Sequence, residues 1–140
     1  MKDCIYYLAY GSNLNLEQMK ERCPNSNKIG SMILKDYELE FRYYLTVNKK
    51  LGCNVPIGIW EIAKEDEKYL DEYEGYPSLY RKEYIPIQVD NRQVEALIYI
   101  MNDVRKPERP STEYFECCVE GYNDFGLDVK YLNKALSLCS

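Results

Sequence analysis

Tyr10-Gly11-Ser12-Asn13-Leu14 stands where an apolar run, Ile5 to Tyr10, gives way to a helical pattern from Asn15 to Arg22. A chain that stops as a strand and restarts as a helix turns sharply, and the N–H groups of such a turn have no ladder partner. They can point into one cavity and hold an anion or a developing oxyanion. Gly11 brings the backbone close to a ligand with no Cβ in the way. Ser12 and Asn13 add short polar groups, and Asn15 is placed to cap the helix. The same residues also make an ordinary strand–helix turn.

The rest of the chemistry is bounded by an omission, because the chain contains no histidine. Ser-His-Asp and Cys-His nucleophiles are thereby excluded, and proton transfer falls to Glu, Asp, Tyr, Lys or Cys. The six cysteines show no C-x-x-C spacing. A zinc site would have to be assembled from scattered cysteines and carboxylates, so no metal is expected.

The elements that must position these residues read as follows. Ile5 to Tyr10 is a strand and Asn15 to Arg22 a helix. Lys28 to Leu34 and Tyr37 to Tyr44 are two strands around Lys35-Asp36, the second alternating Tyr37, Leu39, Phe41 and Tyr43 with Glu38, Glu40 and Arg42. Thr46 to Asn54 reads as a loop, with Lys49-Lys50 at its tip. Val55 to Ile62 is a strand whose Pro56 and Gly58 suggest a bend or a sheet edge. Lys64 to Glu74 is a charged helix stopped by Gly75 and Pro77. Tyr80 to Val89 and Val94 to Met101 form a hairpin. Ser111 caps a helix carrying Tyr114, Cys118, Tyr122 and Phe125 on one stripe, Gly126 ends it, and Asp128 caps a last helix from Val129 to Cys139. Six strands and four helices in runs, without strict alternation, predict an α+β fold, with a small, strongly bent sheet or barrel flanked by helices.

A chain of 140 residues suits a single domain over residues 1–140 with no linker or repeat. Its net charge of −5, with no basic block, argues against nucleic acid as a partner. No apolar run approaches the length of a membrane span, and the N-terminus has no signal-peptide core. The expected location is the cytoplasm, with the cysteines reduced. Fifteen tyrosines against three phenylalanines and one tryptophan are the remaining signature. Tyrosine brings apolar bulk with a polar tip, which suits either a partly polar cleft or a plain core.

Three segments ask for a common explanation: Tyr10 to Leu14, Asp71-Glu72-Tyr73-Glu74-Gly75-Tyr76-Pro77, and Pro110-Ser111-Thr112-Glu113-Tyr114. In this order and spacing they resemble the γ-glutamylcyclotransferase family, with its AIG2-like and γ-glutamylamine members, from about residue 5 to 133. The resemblance implies a small mixed barrel that needs no cofactor. It also implies release of 5-oxoproline from a small γ-glutamyl compound, by attack of the substrate's own α-amine on its γ-carbonyl. It makes Glu74 the catalytic acid/base, Tyr10, Gly11, Ser12, Asn13 and Leu14 the substrate-binding loop, and Tyr114 a pocket tyrosine. The protein would act as a monomer or weak homodimer. The leaving amine stays open: an amino acid, a peptide, or an amine as in the γ-glutamylamine members. A non-catalytic binding protein on the same fold is the rival reading.

The position of Glu74 agrees with that role. The negative end of a helix disfavours a carboxylate, as do Asp71 and Glu72 nearby, and partial burial would add to both. All three raise its pKa toward the range useful to a group that takes and returns a proton. Glu72, two residues away, is expected to face elsewhere. Read alone, Glu74 would be a solvated acidic helix end and Tyr114 a core tyrosine.

Overall fold

Residues 3–103 and 105–139 are described in a computed structural model of the chain. Five strands, β1 (Cys4–Ala9), β2 (Asn27–Arg42), β3 (Tyr44–Ala63), β4 (Tyr80–Val89) and β5 (Arg92–Met101), form one sheet in the order β2-β3-β1-β5-β4. Only β1 and β5 run parallel; the other neighbours are antiparallel. Around the sheet lie α1 (Leu16–Arg22), α2 (Glu67–Glu74), α3 (Thr112–Asp124) and α4 (Lys130–Ser137). The α+β class and the mixed sheet with flanking helices are as expected. The sheet is open, with β2 and β4 as its edges.

Two expectations are corrected. The strands placed on either side of Lys35-Asp36 are one strand, β2, and the expected loop from Thr46 to Asn54 is part of β3. Asp36 sits at φ 66 and makes a bulge where a reversal was expected: pairing passes from Lys35↔Asn54 to Tyr37↔Lys49, so residues 50–53 loop out opposite it. Gly52 at φ 88 closes that loop by donating its N–H to Asp36 Oδ1 at 2.9 Å. The chain reverses at Tyr43, φ 71, between the paired Arg42 and Tyr44. A tyrosine in a left-handed turn breaks the usual turn chemistry, which is why the reversal was misplaced.

The sheet-edge reading of Pro56 and Gly58 is corrected too. Strand β3 lies inside the sheet, and Pro56 falls just past the end of β1, which pairs only as far as Gly58. A Cβ on Gly58 would run into Leu14 and the Phe125 ring, so the glycine admits the turn after β1 and the end of α3 onto the sheet. Val55, Ile57, Ile59, Leu97 and Ile98 form the sheet's share of a continuous core with Leu14, Cys118, Tyr122 and Leu132. All six cysteines are free. Among the described residues no helix is long and apolar enough to cross a membrane.

Candidate active site

The turn after β1 is a single 3-10 turn over Ser12–Leu14, followed by α1 with Asn15 as its cap; Asn15 Oδ1 accepts from Glu17 N and Gln18 N. Within it Leu14 N donates to the Gly11 carbonyl and Asn15 N to that of Ser12, both at 3.0 Å. Two other carbonyls are clamped from outside: Tyr122 Oη donates to Tyr10 O at 3.1 Å and Trp60 Nε1 to Asn13 O at 2.9 Å. The amides of Gly11, Ser12 and Asn13 donate to no protein acceptor among the described residues. They occupy the position where a helix start presents free donors.

A cleft of about 320 Å³ opens against this turn, lined by Gly11, Ser12 and Asn13, by Glu72 and Glu74 of α2, and by seven tyrosines. Of the expected binding loop, Leu14 does not line it. It is fully buried beneath, packed against Gly58 and Gly121, and serves as the turn's anchor in the core. Tyr10, Tyr114 and Glu74 do line the cleft, so residues from the start, middle and end of the chain meet there.

Helix α2 ends as its sequence foretells. Gly75 takes the left-handed conformation at φ 68, its N–H meets Glu72 O at 3.2 Å, and Tyr76 N meets Asp71 O at 2.9 Å. This stop leaves Glu74 in the cleft wall, where desolvation raises its carboxyl pKa to about 8 against the downward pull of the Arg22 charge. The direction is as expected, and of the three causes expected it is burial that acts. Asp71, expected to repel it, is occupied by Lys82 at 2.9 Å and by the Tyr99 hydroxyl at 2.6 Å. Glu72 does not face elsewhere: it lines the same cleft while staying exposed.

Beside the expected Tyr10 and Tyr114, five further tyrosines, Tyr7, Tyr44, Tyr73, Tyr80 and Tyr99, form the part of the site that sequence reading missed. Tyr10 Oη donates to Tyr99 O at 2.6 Å, Tyr99 Oη to Asp71, and Tyr80 Oη to Leu45 O at 2.5 Å, so their protons are committed. Tyr7 and Tyr114 differ. Tyr7 Oη accepts from Asn13 Nδ2 at 3.0 Å and Tyr114 Oη from Leu45 N at 3.1 Å, which leaves each phenol its own proton to donate. Burial holds both phenols well above the ordinary tyrosine range, with Glu74 adding to the effect at Tyr7. They therefore remain protonated. Tyr73 Oη shares a hydrogen bond of 2.7 Å with Ser12 Oγ and joins α2 to the turn. For the five unexpected tyrosines the signal available in the sequence was the excess of tyrosine, which names no individual residue.

The arrangement offers free backbone donors, two phenols able to donate, and one desolvated carboxyl, all facing one small cavity. Among the described residues no group of three His, Cys, Asp or Glu is placed to hold a metal ion. Burial pushes the Cys23 thiol up to about 12 and raises Cys117, Cys118 and Cys139 as well, which makes them poor nucleophiles.

Comparison with known proteins agrees in fold and in family. A solved structure called "Gamma-glutamyl cyclotransferase" superposes with a TM-score of 0.82 at 22% identity, covering 99% of this chain and 89% of the other. The γ-glutamylcyclotransferase of Bos taurus is 26% identical over 153 residues, 97% of this chain and 79% of that protein. That of Homo sapiens is 25% identical over 150 residues, 95% of this chain and 78% of the other. The family described as "Gamma-glutamyl cyclotransferase, AIG2-like" matches residues 7–116, a span that runs from Tyr7 through the turn and Glu74 to Tyr114. The chain belongs to the γ-glutamyl cyclotransferase, AIG2-like family.

Proposed function

We propose that the protein is a cyclotransferase that releases 5-oxoproline from a γ-glutamyl compound. The observation that carries this reading is the desolvated carboxyl of Glu74, with a pKa near 8, in the same cleft as the unpartnered amides of Gly11, Ser12 and Asn13. Nucleophile and electrophile belong to one substrate, so the protein has to fold the γ-glutamyl chain, move one proton and stabilise one oxyanion.

The steps balance without a cofactor. The α-ammonium gives a proton to the Glu74 carboxylate, and the neutral nitrogen attacks the γ-carbonyl carbon. The amides of the turn and the Tyr7 and Tyr114 phenols donate to the substrate's α-carboxylate and to the oxyanion. The ring nitrogen, still carrying one surplus proton after attack, gives it up to solvent as the ring closes. Glu74 returns its own proton to the leaving nitrogen as the C–N bond breaks, and 5-oxoproline and a free amine depart. A pKa near 8 suits a group that must both accept from an ammonium and donate to an amine. We place the reaction in the cytoplasm, in keeping with six free cysteines.

The test is incubation with a panel of γ-glutamyl amino acids, peptides and amines, with 5-oxoproline read by mass spectrometry. Silence across the panel sinks the catalytic reading in favour of a binding protein on this fold.

A further inference from the structure

We propose that Glu72 selects the leaving group, and that this group is cationic: the substrate is the γ-glutamyl derivative of a diamine or of a comparable amine with a second positive charge. The inference rests on the cyclotransferase reading and names the substrate class of that same cleft.

The charged residues that line the cleft are Glu72 and Glu74, and among the described residues no lysine or arginine joins them. The arginines nearby are engaged. Arg22 spends its guanidinium on Asn13 Oδ1 at 3.0 Å and on the Tyr73 ring, and Arg81 pairs with Glu83 at 2.7 Å. Arg105 stands 5.9 Å from the Tyr44 ring, outside the lining, and pairs with Glu108 at 3.8 Å.

A γ-glutamyl group already brings one α-carboxylate. The free amides of Gly11, Ser12 and Asn13 are one anion-holding set, and they must also serve the oxyanion. A leaving amino acid would add a second carboxylate with no cation to meet it, facing Glu72. An unpaired, partly desolvated carboxylate beside a like charge is costly. A cation in the same place meets the Glu72 carboxylate, which pairs with no cation among the described residues. Glu74 carries the proton transfer. Glu72 sits at the exposed side of the cleft, where the far end of the substrate would lie.

Three substrates of matched length separate charge from shape: the γ-glutamyl derivatives of 1,4-diaminobutane, of 1-aminobutane and of 4-aminobutanoate. In the wild type, kcat/KM is expected to favour the diamine over the neutral amine by about 2- to 5-fold, the worth of one exposed ion pair, and over the carboxylate by more. About 0.5 M salt should shrink that ratio. Glu72→Gln should bring the diamine down to the neutral amine, so that the ratio between the two collapses to about one. Glu72→Lys should reverse the order, and Glu72→Asp should retain it. Variants that slow all three substrates equally, or leave the ratios as they were, overturn the proposal. So does a wild type that prefers the carboxylate derivative, an outcome that leaves the cyclotransferase reading intact. If no γ-glutamyl compound of any kind yields 5-oxoproline, both fall together.

Discussion

The guanidinium of Arg22 lies over the ring of Tyr73, 3.4 Å from its centroid, while Nη1 donates to Asn13 Oδ1 at 3.0 Å. One side chain from α1 thus ties the turn after β1 to the last turn of α2, and it brings the positive charge that opposes the rise in the Glu74 pKa. Replacing it with methionine keeps much of the apolar stem and removes the charge. The Arg22→Met enzyme should need a higher pH to reach the same kcat/KM, with a loss of about 3- to 10-fold near pH 7 that alkaline conditions recover. An unshifted profile would mean that Arg22 serves packing alone.

Glu74→Gln keeps size and shape and removes the exchangeable proton. The turn still presents its donors, so substrate affinity should hold while turnover falls by roughly 10²–10⁴. Because Glu72 lines the cleft, the suitable control is exposed Glu65, whose replacement by Gln should be silent. Normal turnover by Glu74→Gln would put the chemistry on another group.

The pH profile follows from the same carboxyl. As the base in the free enzyme it must be ionised, so kcat/KM should rise with pH toward about 8. A bound α-ammonium favours the carboxylate, and the kcat profile should therefore rise at lower pH. Identical midpoints for kcat and kcat/KM would contradict the pairing.

Stability should show the opposite trend. The folded carboxyl holds its proton up to about 8, against about 4.3 in an unfolded chain. Between these values the native state binds the extra proton, so this group's contribution to stability falls as pH rises through that window. Glu74→Gln escapes the penalty and should melt higher than wild type at pH 8, on the order of a few °C, with little gain at pH 5. Equal Tm differences at both pH values would refute the burial of this charge.

Gly121 on α3 packs against the turn so closely that a Cβ would stand 2.7 Å from Asn15 N and 2.9 Å from Leu14 C. Backbone cannot step aside as a side chain does. Gly121→Ala should cost about 1–3 kcal/mol and lower kcat/KM by shifting the donors of the turn relative to Tyr114. Calorimetry alongside kinetics checks both; an unchanged protein would mean α3 moves freely against the turn.

Mild thiol alkylation and chelators should leave turnover intact, since the proposed steps use neither a thiolate nor a metal. Loss of activity in a protein that remains folded, reversed by a divalent ion or by thiol release, would bring one of them into the site.

The sequence by itself determined the features made by neighbours along the chain. Asn15 and Ser111 cap α1 and α3 through their own side chains, and Gly75 stops α2 because a left-handed residue is needed there. The turn at Tyr10 to Leu14 and the placement of Glu74 at a helix end were legible for the same reason. Tertiary structure alone decided what depends on residues far apart. Tyr73 reaches Ser12 across 61 positions and Tyr10 reaches Tyr99 across 89, and nothing in a tyrosine's local surroundings distinguishes a cleft phenol from a core one. It also decided that Glu72 lines the cleft, that Leu14 lies beneath it, and that the Glu74 pKa rises through burial. Desolvation depends on what the rest of the fold packs around a group, whereas propensity and capping depend on the few residues beside it.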